Sequence, residues 1–487
     1  MEPPLGPLAP GRPRDVLVAT VRAATATVPD GARVVIGVSG GADSTAVAYL
    51  VAEARPDLTP TLAHVRHGLR PDGEEQAALR THAGYLGLEL RQVEVEVTAS
   101  GRGLEAAARD ARYGALASVA ADVGAAWVVV GHTADDQAET VLLRAARGTG
   151  VDGLAAMSQG RELRPDLHLL RPALGLRRAD LRAFLVAEGL PWVEDPTNVD
   201  PAMRRNVVRH EVLPSLARAG GDPVGALGRL ADLARADAAA LHALAEGHAA
   251  ELVVRTGAVR SLPDAGLDRL PIALRRRVVR LVLAELLDQP AGAAAVERVL
   301  DLAPGAAVDL PGGVRATAGG GWRTVGPPTA PSEAEQTLSV PGGVDWPPTS
   351  MRITSLTPGA PAPAATDPGQ IAFALAEAWT PPRVRIPGRL VPPGGTAERM
   401  SLALGPVTSA LVVRSRRPGD RLRTAGGTRR LQDVLVDAGL PRPVRDLWPV
   451  VAAGDRVVWV PGIAADVEVV REGRAAPRAL LLVQRDD

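Results

Sequence analysis

The chain has 487 residues, 46% of them apolar and without a low-complexity tract, which is enough for about three domains of ordinary size. Its formal net charge is zero, which argues against a protein that coats nucleic acid by charge alone. Cysteine is absent, so disulfides, thiolate metal sites and cysteine nucleophiles are excluded. Because no run of 18 apolar residues and no apolar N-terminal segment occurs, we expect a cytoplasmic protein that does not enter a membrane.

Lysine is also absent, since all 55 basic residues are arginine. A Walker A loop and a pyridoxal Schiff base both need a lysine, as do the ligases that carry AMP on one. These mechanisms are therefore excluded. The two asparagines of the chain, Asn198 and Asn206, both fall within one stretch of nine residues. This clustering indicates that the stretch resists the composition bias of the rest of the chain.

The first part of the chain alternates short β-branched runs with segments of helical periodicity. Strands are predicted at 33–38, 61–65, 90–97 and 127–130, and helices near 43–54, 72–86, 104–122 and 135–147. This alternation is typical of a parallel sheet covered by helices on both faces. We therefore predict a doubly wound α/β domain, with its ligand at the carboxyl ends of the strands.

The remainder of the chain changes character twice. Helices are predicted at 177–188, 203–217, 224–252, 264–288 and 292–302, and short strands between 306 and 325. Proline and glycine then become dense, which is typical of linkers and exposed loops. Strands at 410–414, 457–460 and 479–483 surround a helix near 430–438. We predict a catalytic domain over 1–215, a mainly helical domain over 216–330, a Pro/Gly-rich linker with short strands over 331–405 and a small α+β domain over 406–487.

A glycine-rich loop follows the first predicted strand and opens a helix. Adjacent glycines let the backbone turn tightly and present N–H groups to an anion, and the helix start adds a partial positive charge. The loop therefore predicts phosphate binding without a lysine. Its acidic residue would bind a magnesium ion that bridges the phosphates, or cap the helix. The six residues are Ser39, Gly40, Gly41, Ala42, Asp43 and Ser44.

A second acidic segment, GHTADDQAET at 131–140, closes the fourth predicted strand and begins a helix. Asp136 and Glu139 are three residues apart and so lie on one helical face. An acidic helix start suits a cation, which leaves open magnesium or an amino group of a substrate. An ordinary acidic first turn, favoured by the helix dipole, is the structural alternative.

The loop SGGADS is similar to that of the ATP-pyrophosphatase (PP-loop) group, which splits ATP into AMP and pyrophosphate. Further segments resemble the tRNA(Ile)-lysidine synthetase family within that group: HVRHGLR at 64–70, LEAAARDARY at 104–113, GHTADDQAET at 131–140, WVEDPTN at 192–198 and RRNVVR at 204–209. Thr197 stands where the family usually has serine. The resemblance implies ATP and Mg²⁺ as cofactors, free L-lysine and the minor isoleucine tRNA with a CAU anticodon as partners, and leaves a homodimer open.

The resemblance also implies a role for each matching residue. We expect Asp43, also the metal ligand, to act in catalysis together with His132, Asp136, Glu139 and Arg205. ATP would be bound by Ser39, Gly40, Gly41, Ala42, Asp43, Ser44 and His64. The other substrates would be bound by Arg109, Arg112, Asp135, Asn198, Asn206 and Arg209.

Near the C-terminus, RSRRPGDR at 414–421, TRRLQD at 428–433 and VWVPG at 458–462 resemble further elements of the same family, with Arg429 and Arg430 in place of lysine. Clustered arginine predicts a local basic face for folded RNA. Three rival functions remain: a tRNA thiolase of the same group, disfavoured because cysteine is absent, a synthetase that forms amides on small molecules, and an ATP-binding protein without catalysis.

Overall fold

A computed structural model describes residues 13–66, 73–96, 104–194, 203–329, 335–349, 351–356, 400–404, 410–461, 463–475 and 479–485. The chain divides into two compact units, residues 1–239 and 240–487. In those described ranges, no helix is both long enough and apolar enough to cross a membrane.

A six-stranded sheet forms the centre of the first unit. Its strands are β1 Arg33–Gly37, β2 Thr59–Arg66, β3 Glu89–Glu94, β4 Trp127–Val130, β5 Gly160–Arg164 and β6 Leu167–Leu170. The order in the sheet is β3-β2-β1-β4-β6-β5, and all neighbours are parallel except the edge strand β5. The order reverses between β1 and β4, so the loops that follow these two strands open a crevice at the carboxyl edge of the sheet.

Helices cover both faces of this sheet. The two sides of β1 show this, because Val34 and Ile36 pack with the helices of one face while Val35 packs with α4 on the other. The predicted doubly wound α/β fold is confirmed. The helices of this unit are α1 Arg14–Ala24, α2 Ala42–Ala54, α3 Gly73–Leu86, α4 Leu104–Val123, α5 Ala134–Ala146, α6 Val151–Leu154, α7 Arg178–Ala187, α8 Arg204–Val207, α9 Leu213–Ala219 and α10 Pro223–Leu252, which continues into the second unit.

Two features of the first unit differ from the sequence prediction. The antiparallel hairpin β5–β6 was not predicted, because β5 is an exposed edge strand without apolar alternation. The helix predicted over 203–217 is divided into α8 and α9 by a π-helical turn, Val208–Val212. Pro214 lies at the start of α9 and lacks the N–H that a regular α-helix would use there.

The second unit begins with a five-stranded antiparallel sheet, ordered β7-β8-β11-β10-β9. Its apolar face packs against the end of α10 and three further helices. The first two strands, β7 and β8, were not predicted from the sequence. The strands are β7 Val254–Thr256, β8 Val259–Pro263, β9 Ala307–Asp309, β10 Arg315–Gly319 and β11 Trp322–Gly326, and the helices are α11 Asp264–Asp268, α12 Ile272–Ala284 and α13 Ala293–Leu300.

Two more sheets and a two-stranded ribbon, β17–β18, complete the second unit. The sheets have the orders β12-β16-β19-β20-β21 and β13-β14-β22-β15, and Trp346, Trp448 and Trp459 lie in their common core. The elements are β12 Glu335–Leu338, β13 Gly342–Trp346, β14 Met351–Leu356, β15 Met400–Leu404, β16 Leu411–Arg414, β17 Arg421–Thr424, β18 Gly427–Arg430, α14 Leu431–Asp437, α15 Arg442–Leu447, β19 Val450–Ala453, β20 Arg456–Val460, β21 Ala464–Ala465, α16 Val467–Ala475 and β22 Ala479–Arg485.

The segment predicted as a linker, 331–405, supplies four of these strands. β12 pairs with β16, and β14 and β15 flank β22. Residues 335–349, 351–356 and 400–404 therefore belong to the C-terminal sheets rather than to a separate connection. Residues 357–399 of the predicted linker lie outside the described residues.

Candidate active site

The loop between β1 and α2 is closed by the hydroxyl of Ser44. This hydroxyl accepts a hydrogen bond from the backbone N–H of Ser39 and donates one to the carbonyl oxygen of Gly41. Both hydrogen bonds are 3.1 Å long. Gly40 has φ +80°, the left-handed conformation that glycine adopts without strain. The first N–H groups of α2 have no intrahelical acceptor, as at any helix start, so the loop is built to receive an anion.

The end of β4 passes directly against the start of α2. A Cβ atom on Gly131 would lie only 2.9 Å from the Cα of Ser44. Only glycine allows this approach. The loop after β4, which carries the acidic segment, is therefore held beside the phosphate loop.

His132 follows Gly131 and is held neutral. Its Nδ1 lies 3.3 Å from the Nε of Arg171, a donor. Burial and the Arg171 guanidinium lower the pKa of His132 to about 3. Since Nδ1 accepts, the ring proton is on Nε2, and His132 presents an N–H donor rather than a base.

Asp136 caps the helix that it begins. Its Oδ2 accepts from the backbone N–H of Thr133 at 2.8 Å, and its own N–H donates to Thr133 Oγ1 at 3.3 Å, which is a capping box. Burial opposes ionisation here, but the guanidinium groups of Arg205 and Arg178 hold the pKa of Asp136 below its ordinary value. Asp136 is therefore ionised, with its Oδ1 directed at arginine.

Arg178 joins the phosphate loop to the acidic helix. Its Nε donates to Asp43 Oδ2 at 3.0 Å, its Nη2 to Asp136 Oδ1 at 3.1 Å and its Nη1 to Glu139 Oε1 at 3.5 Å. Its backbone N–H donates to Asp135 Oδ2 at 2.8 Å. One arginine thus contacts four carboxylates from two helices, and against its burial these carboxylates raise the pKa of Arg178.

Glu139 holds two further arginines. Arg205 Nε lies 2.5 Å from Glu139 Oε2, and Arg209 Nε lies 2.8 Å from Oε1. Glu139 is fully buried, so both of its oxygens face guanidinium groups rather than open space. Asn206, between the two arginines in the sequence, is also buried.

Asp43 keeps one oxygen available. Its Oδ2 accepts from Arg178, while its Oδ1 is buried and has no hydrogen-bond partner among the described residues. Burial raises the pKa of Asp43, and Arg178 opposes this rise. In the described part of the chain, no three His, Asp or Glu side chains form a metal site by themselves. Magnesium commonly takes one or two carboxylates and completes its shell with phosphates and water, so the available oxygen of Asp43 fits it.

A cleft of about 390 Å³ opens beside this network. Asp135 and Asp222 contribute carboxylates to its walls, and Arg178 and Arg209 contribute guanidinium groups. The apolar part of the lining consists of Leu213, Pro214, Ala217, Pro223 and Val224. Such a lining suits a small zwitterion with an aliphatic stem.

The other predicted ligand-binding residues are less tightly grouped. His64 is buried and its Nδ1 contacts the carbonyl oxygen of Val38, directly before the phosphate loop. Arg109 lies over the ring of Tyr113, 5.2 Å from its centroid, and near enough to lower the pKa of His132. Arg112 is exposed on α4. Asn198 lies outside the described residues.

Sequence reasoning missed Arg178 and Arg171, which no recognised motif contains. One signal pointed to the first of them. Arg178 is the first residue of α7, where the helix dipole disfavours a cation. An arginine at that position needs carboxylates from elsewhere in the fold, which the acidic segment supplies.

The predicted basic face of the C-terminal domain is only partly formed by the arginines named for it. Arg414 is buried in a two-fold hydrogen-bonded ion pair with Asp420, and Arg416 is paired with Asp446. Arg421 and Arg430 are exposed and lie directly opposite each other on the ribbon β17–β18. Two like charges in such a pair repel, and an anion would relieve the repulsion.

Comparison with known proteins places these features in context. Residues 17–216 match a family model described as a PP-loop domain, and residues 411–479 match one described as the TilS substrate C-terminal domain. The chain is 35% identical to a tRNA(Ile)-lysidine synthase of Symbiobacterium thermophilum over 90% of both chains. It is 35% identical to that of Thermus thermophilus over 88% of this chain and 68% of the relative. A crystal structure of a TILS C-terminal domain is 26% identical, over 32% of this chain and 98% of that chain, with a TM-score of 0.22.

Proposed function

The chain belongs to the tRNA(Ile)-lysidine synthase family, and from this premise we propose how its own residues divide the work of that ATP-dependent ligase. The enzyme joins lysine to the wobble cytidine of the isoleucine tRNA with a CAU anticodon. The 2-oxygen of the cytidine attacks the α-phosphate of ATP and pyrophosphate leaves. The ε-amino group of lysine then attacks carbon 2 and expels AMP, which gives lysidine.

One observation carries the assignment of residues. The phosphate loop and the acidic start of α5 follow the two strands between which the sheet order reverses, and Arg178 bonds to both. We assign the triphosphate to the Ser39–Ser44 loop, whose backbone donors would hold the departing pyrophosphate. His64 completes the nucleotide site at the root of this loop. The neutral His132 would donate its Nε2 proton to an oxygen that gains charge during adenylation.

Asp43 is the residue that would hold magnesium, through the oxygen that has no hydrogen-bond partner among the described residues. When bound, magnesium neutralises charge that develops on the phosphates. Arg178 keeps the other oxygen of Asp43 fixed, so the orientation of this carboxylate comes from the protein itself.

We assign free lysine to the cleft beside α5. The ε-amino group of the lysine would face the acidic start of the helix, where Asp135 lines the cleft. The carboxylate of the lysine would face Arg209. From the sequence, Glu139 was a candidate for binding magnesium or an amino group of a substrate, but its burial and its arginine partners favour a positioning role for it instead. Asp136 shares Arg178 and Arg205 in the same way. Arg205, held by these two carboxylates, would supply positive charge to a phosphate or carboxylate of a substrate.

The remaining substrate is tRNA. We assign catalysis to residues 1–215 and tRNA binding to 216–330 and 406–487, with Arg109, Arg112, Asn198 and Asn206 of the catalytic domain as candidates for contacts near the reacting base. The exposed pair Arg421 and Arg430 supports the C-terminal assignment, because adjacent guanidinium groups suit the phosphate backbone of folded RNA.

The test supplies ATP, Mg²⁺, radiolabelled lysine and an isoleucine tRNA transcript with a CAU anticodon, and counts label bound to RNA. We expect label on this transcript and none on one with an altered wobble base. Arg205→Ala should abolish incorporation, whereas Arg14→Ala, which removes a surface arginine bonded to Glu53 and Glu188, should not. Absence of label with folded wild-type protein would refute the proposal.

A further inference from the structure

His64 carries a ring nitrogen with no hydrogen-bond partner among the described residues. The residue is 4% exposed, near the carboxyl end of β2, and its Nδ1 lies 3.0 Å from the carbonyl oxygen of Val38. Because a carbonyl oxygen only accepts, Nδ1 carries the proton, and in the neutral ring Nε2 holds a lone pair. That Nε2 is buried and contacts no donor in the described part of the chain.

The position of this atom indicates which ligand could donate a hydrogen bond to it. Val38 directly precedes Ser39, so the imidazole lies at the root of the phosphate loop. Two other buried oxygens without a partner among the described residues, Asp43 Oδ1 and Thr45 Oγ1, belong to the first turn of α2. Folded proteins keep few buried polar atoms unpaired, and a group of them at one loop indicates a ligand that completes them.

We propose that His64 Nε2 accepts a hydrogen bond from the adenosine part of ATP and thereby contributes to nucleotide specificity. This inference rests on the assignment of ATP to the Ser39–Ser44 loop. Adenosine has hydrogen-bond donors in two places: the 6-amino group of the base and the hydroxyl groups of the ribose. Guanine has an oxygen where adenine has its amino group, and two acceptors facing each other would repel.

The test measures nucleotide binding by calorimetry at pH 8 with Mg²⁺ and without tRNA or lysine. The probes are ATP, purine riboside triphosphate, which lacks the 6-amino group, and the 2′-deoxy and 3′-deoxy forms of ATP. We expect one of the three analogues to bind wild-type protein about tenfold more weakly than ATP, the effect of leaving one buried acceptor unpaired. The analogue that binds weakly identifies the base or the sugar as the source.

Two substitutions separate recognition from a purely structural role. In His64→Asn the amide nitrogen replaces Nδ1 and keeps the contact with Val38, but nothing replaces Nε2. The weak analogue and ATP should then bind within about twofold of each other. His64→Gln can place its amide oxygen near the position of Nε2, so the discrimination should persist. Thermal unfolding of each variant checks that it is folded.

His82→Asn is the matched control. His82 is equally buried, but its two ring nitrogens are already paired, with the Tyr49 hydroxyl at 3.0 Å and the Pro191 carbonyl oxygen at 2.8 Å. Its loss should leave nucleotide discrimination at the wild-type value. Equal binding of all four nucleotides by wild-type protein, or full discrimination by His64→Asn, would overturn the proposal. Because neither tRNA nor lysine is present, a failure of lysidine formation would leave this result intact.

Discussion

At the residue scale, the site depends on how a few buried charges are paired. Four carboxylates and three arginines share the crevice: Arg178 contacts all four carboxylates, and Glu139 contacts all three arginines, Arg178, Arg205 and Arg209. A buried charge left without its partner is strongly destabilising, because neither water nor another group replaces the lost interaction. Removal of any one member should therefore affect stability as well as catalysis.

We expect Arg178→Ala to lower the free energy of unfolding by about 3 kcal/mol, because it leaves buried carboxylates unpaired. Arg14→Ala is the control. Arg14 also joins α2 to α7, through Glu53 and Glu188, but its side chain is 54% exposed against 17% for Arg178. An exposed pair contributes at most about 1 kcal/mol. Urea unfolding of both variants checks the difference, and equal losses would contradict the account.

The low pKa of His132 predicts a pH dependence of stability. The folded ring stays neutral down to about pH 3, whereas the unfolded ring takes up a proton below its ordinary pKa of 6.5. The unfolded state then binds more protons, so this stabilisation is complete above pH 6.5 and is lost as pH falls.

Between pH 7 and pH 5, wild-type protein should lose about 2 kcal/mol more unfolding free energy than His132→Gln, whose side chain does not titrate. Urea unfolding of both proteins at the two pH values measures the difference. Equal losses of unfolding free energy in the two proteins would contradict this, because they would mean that His132 takes up its proton between pH 7 and pH 5 in the folded state as well.

Residue patterns predicted part of this site. The loop at 39–44 and the acidic segment at 131–140 were predictable because each is continuous in sequence and lies at a strand end. Arg178 was not predicted, because its position at the start of a helix is only a weak signal and does not say which carboxylates it folds onto. His64 was predicted to bind ATP, but only the fold shows that its Nδ1 is paired with the carbonyl oxygen of Val38 while its Nε2 has no partner among the described residues.

At the level of helices and strands, the contact between the end of β4 and the start of α2 sets the distance between the phosphate loop and the acidic start of α5. The four central strands and their helices were predictable because apolar periodicities of two and 3.6 residues are strong there. The hairpin β5–β6 was not, because an exposed edge strand carries little apolar alternation.

Gly131→Ala should push β4 away from α2, because the added Cβ would lie 2.9 Å from the Cα of Ser44. We expect the KM for ATP to rise at least about tenfold, since the phosphate loop ends at that contact. Gly84→Ala is the control, because no atom lies within 4 Å of its added Cβ. Steady-state kinetics of the two variants tests this, and an unchanged KM in Gly131→Ala would contradict it.

At the scale of the whole molecule, the C-terminal sheets join strands that are far apart in sequence. β14 pairs with β22 across more than a hundred residues, and a linker prediction for 331–405 missed this because strand pairing is not a local property. The same holds for the arginines of the C-terminal domain. Their clustering in the sequence did not distinguish the buried Arg414 from the exposed Arg421.

We expect the double variant Arg421→Ala and Arg430→Ala to weaken tRNA binding about tenfold and to reduce its salt dependence, because two phosphate contacts are lost. Stability should change little, as both side chains are exposed. The control replaces Arg14 and Arg33, two exposed arginines of the catalytic domain. Arg33 begins β1, at the edge of the sheet opposite the crevice. Filter binding at several salt concentrations measures the effect. Equal losses in both double variants would contradict a specific role for the ribbon.

The central claim is that the phosphate loop activates the cytidine while the cleft beside α5 supplies the lysine. The most direct test measures tRNA-dependent pyrophosphate release and lysine incorporation on the same samples of Asp43→Asn and Asp135→Asn. We expect Asp43→Asn to lose both activities, whereas Asp135→Asn should still release pyrophosphate with the CAU transcript but incorporate lysine at least about tenfold more slowly. Loss of pyrophosphate release in both variants to the same extent would contradict this division of the site.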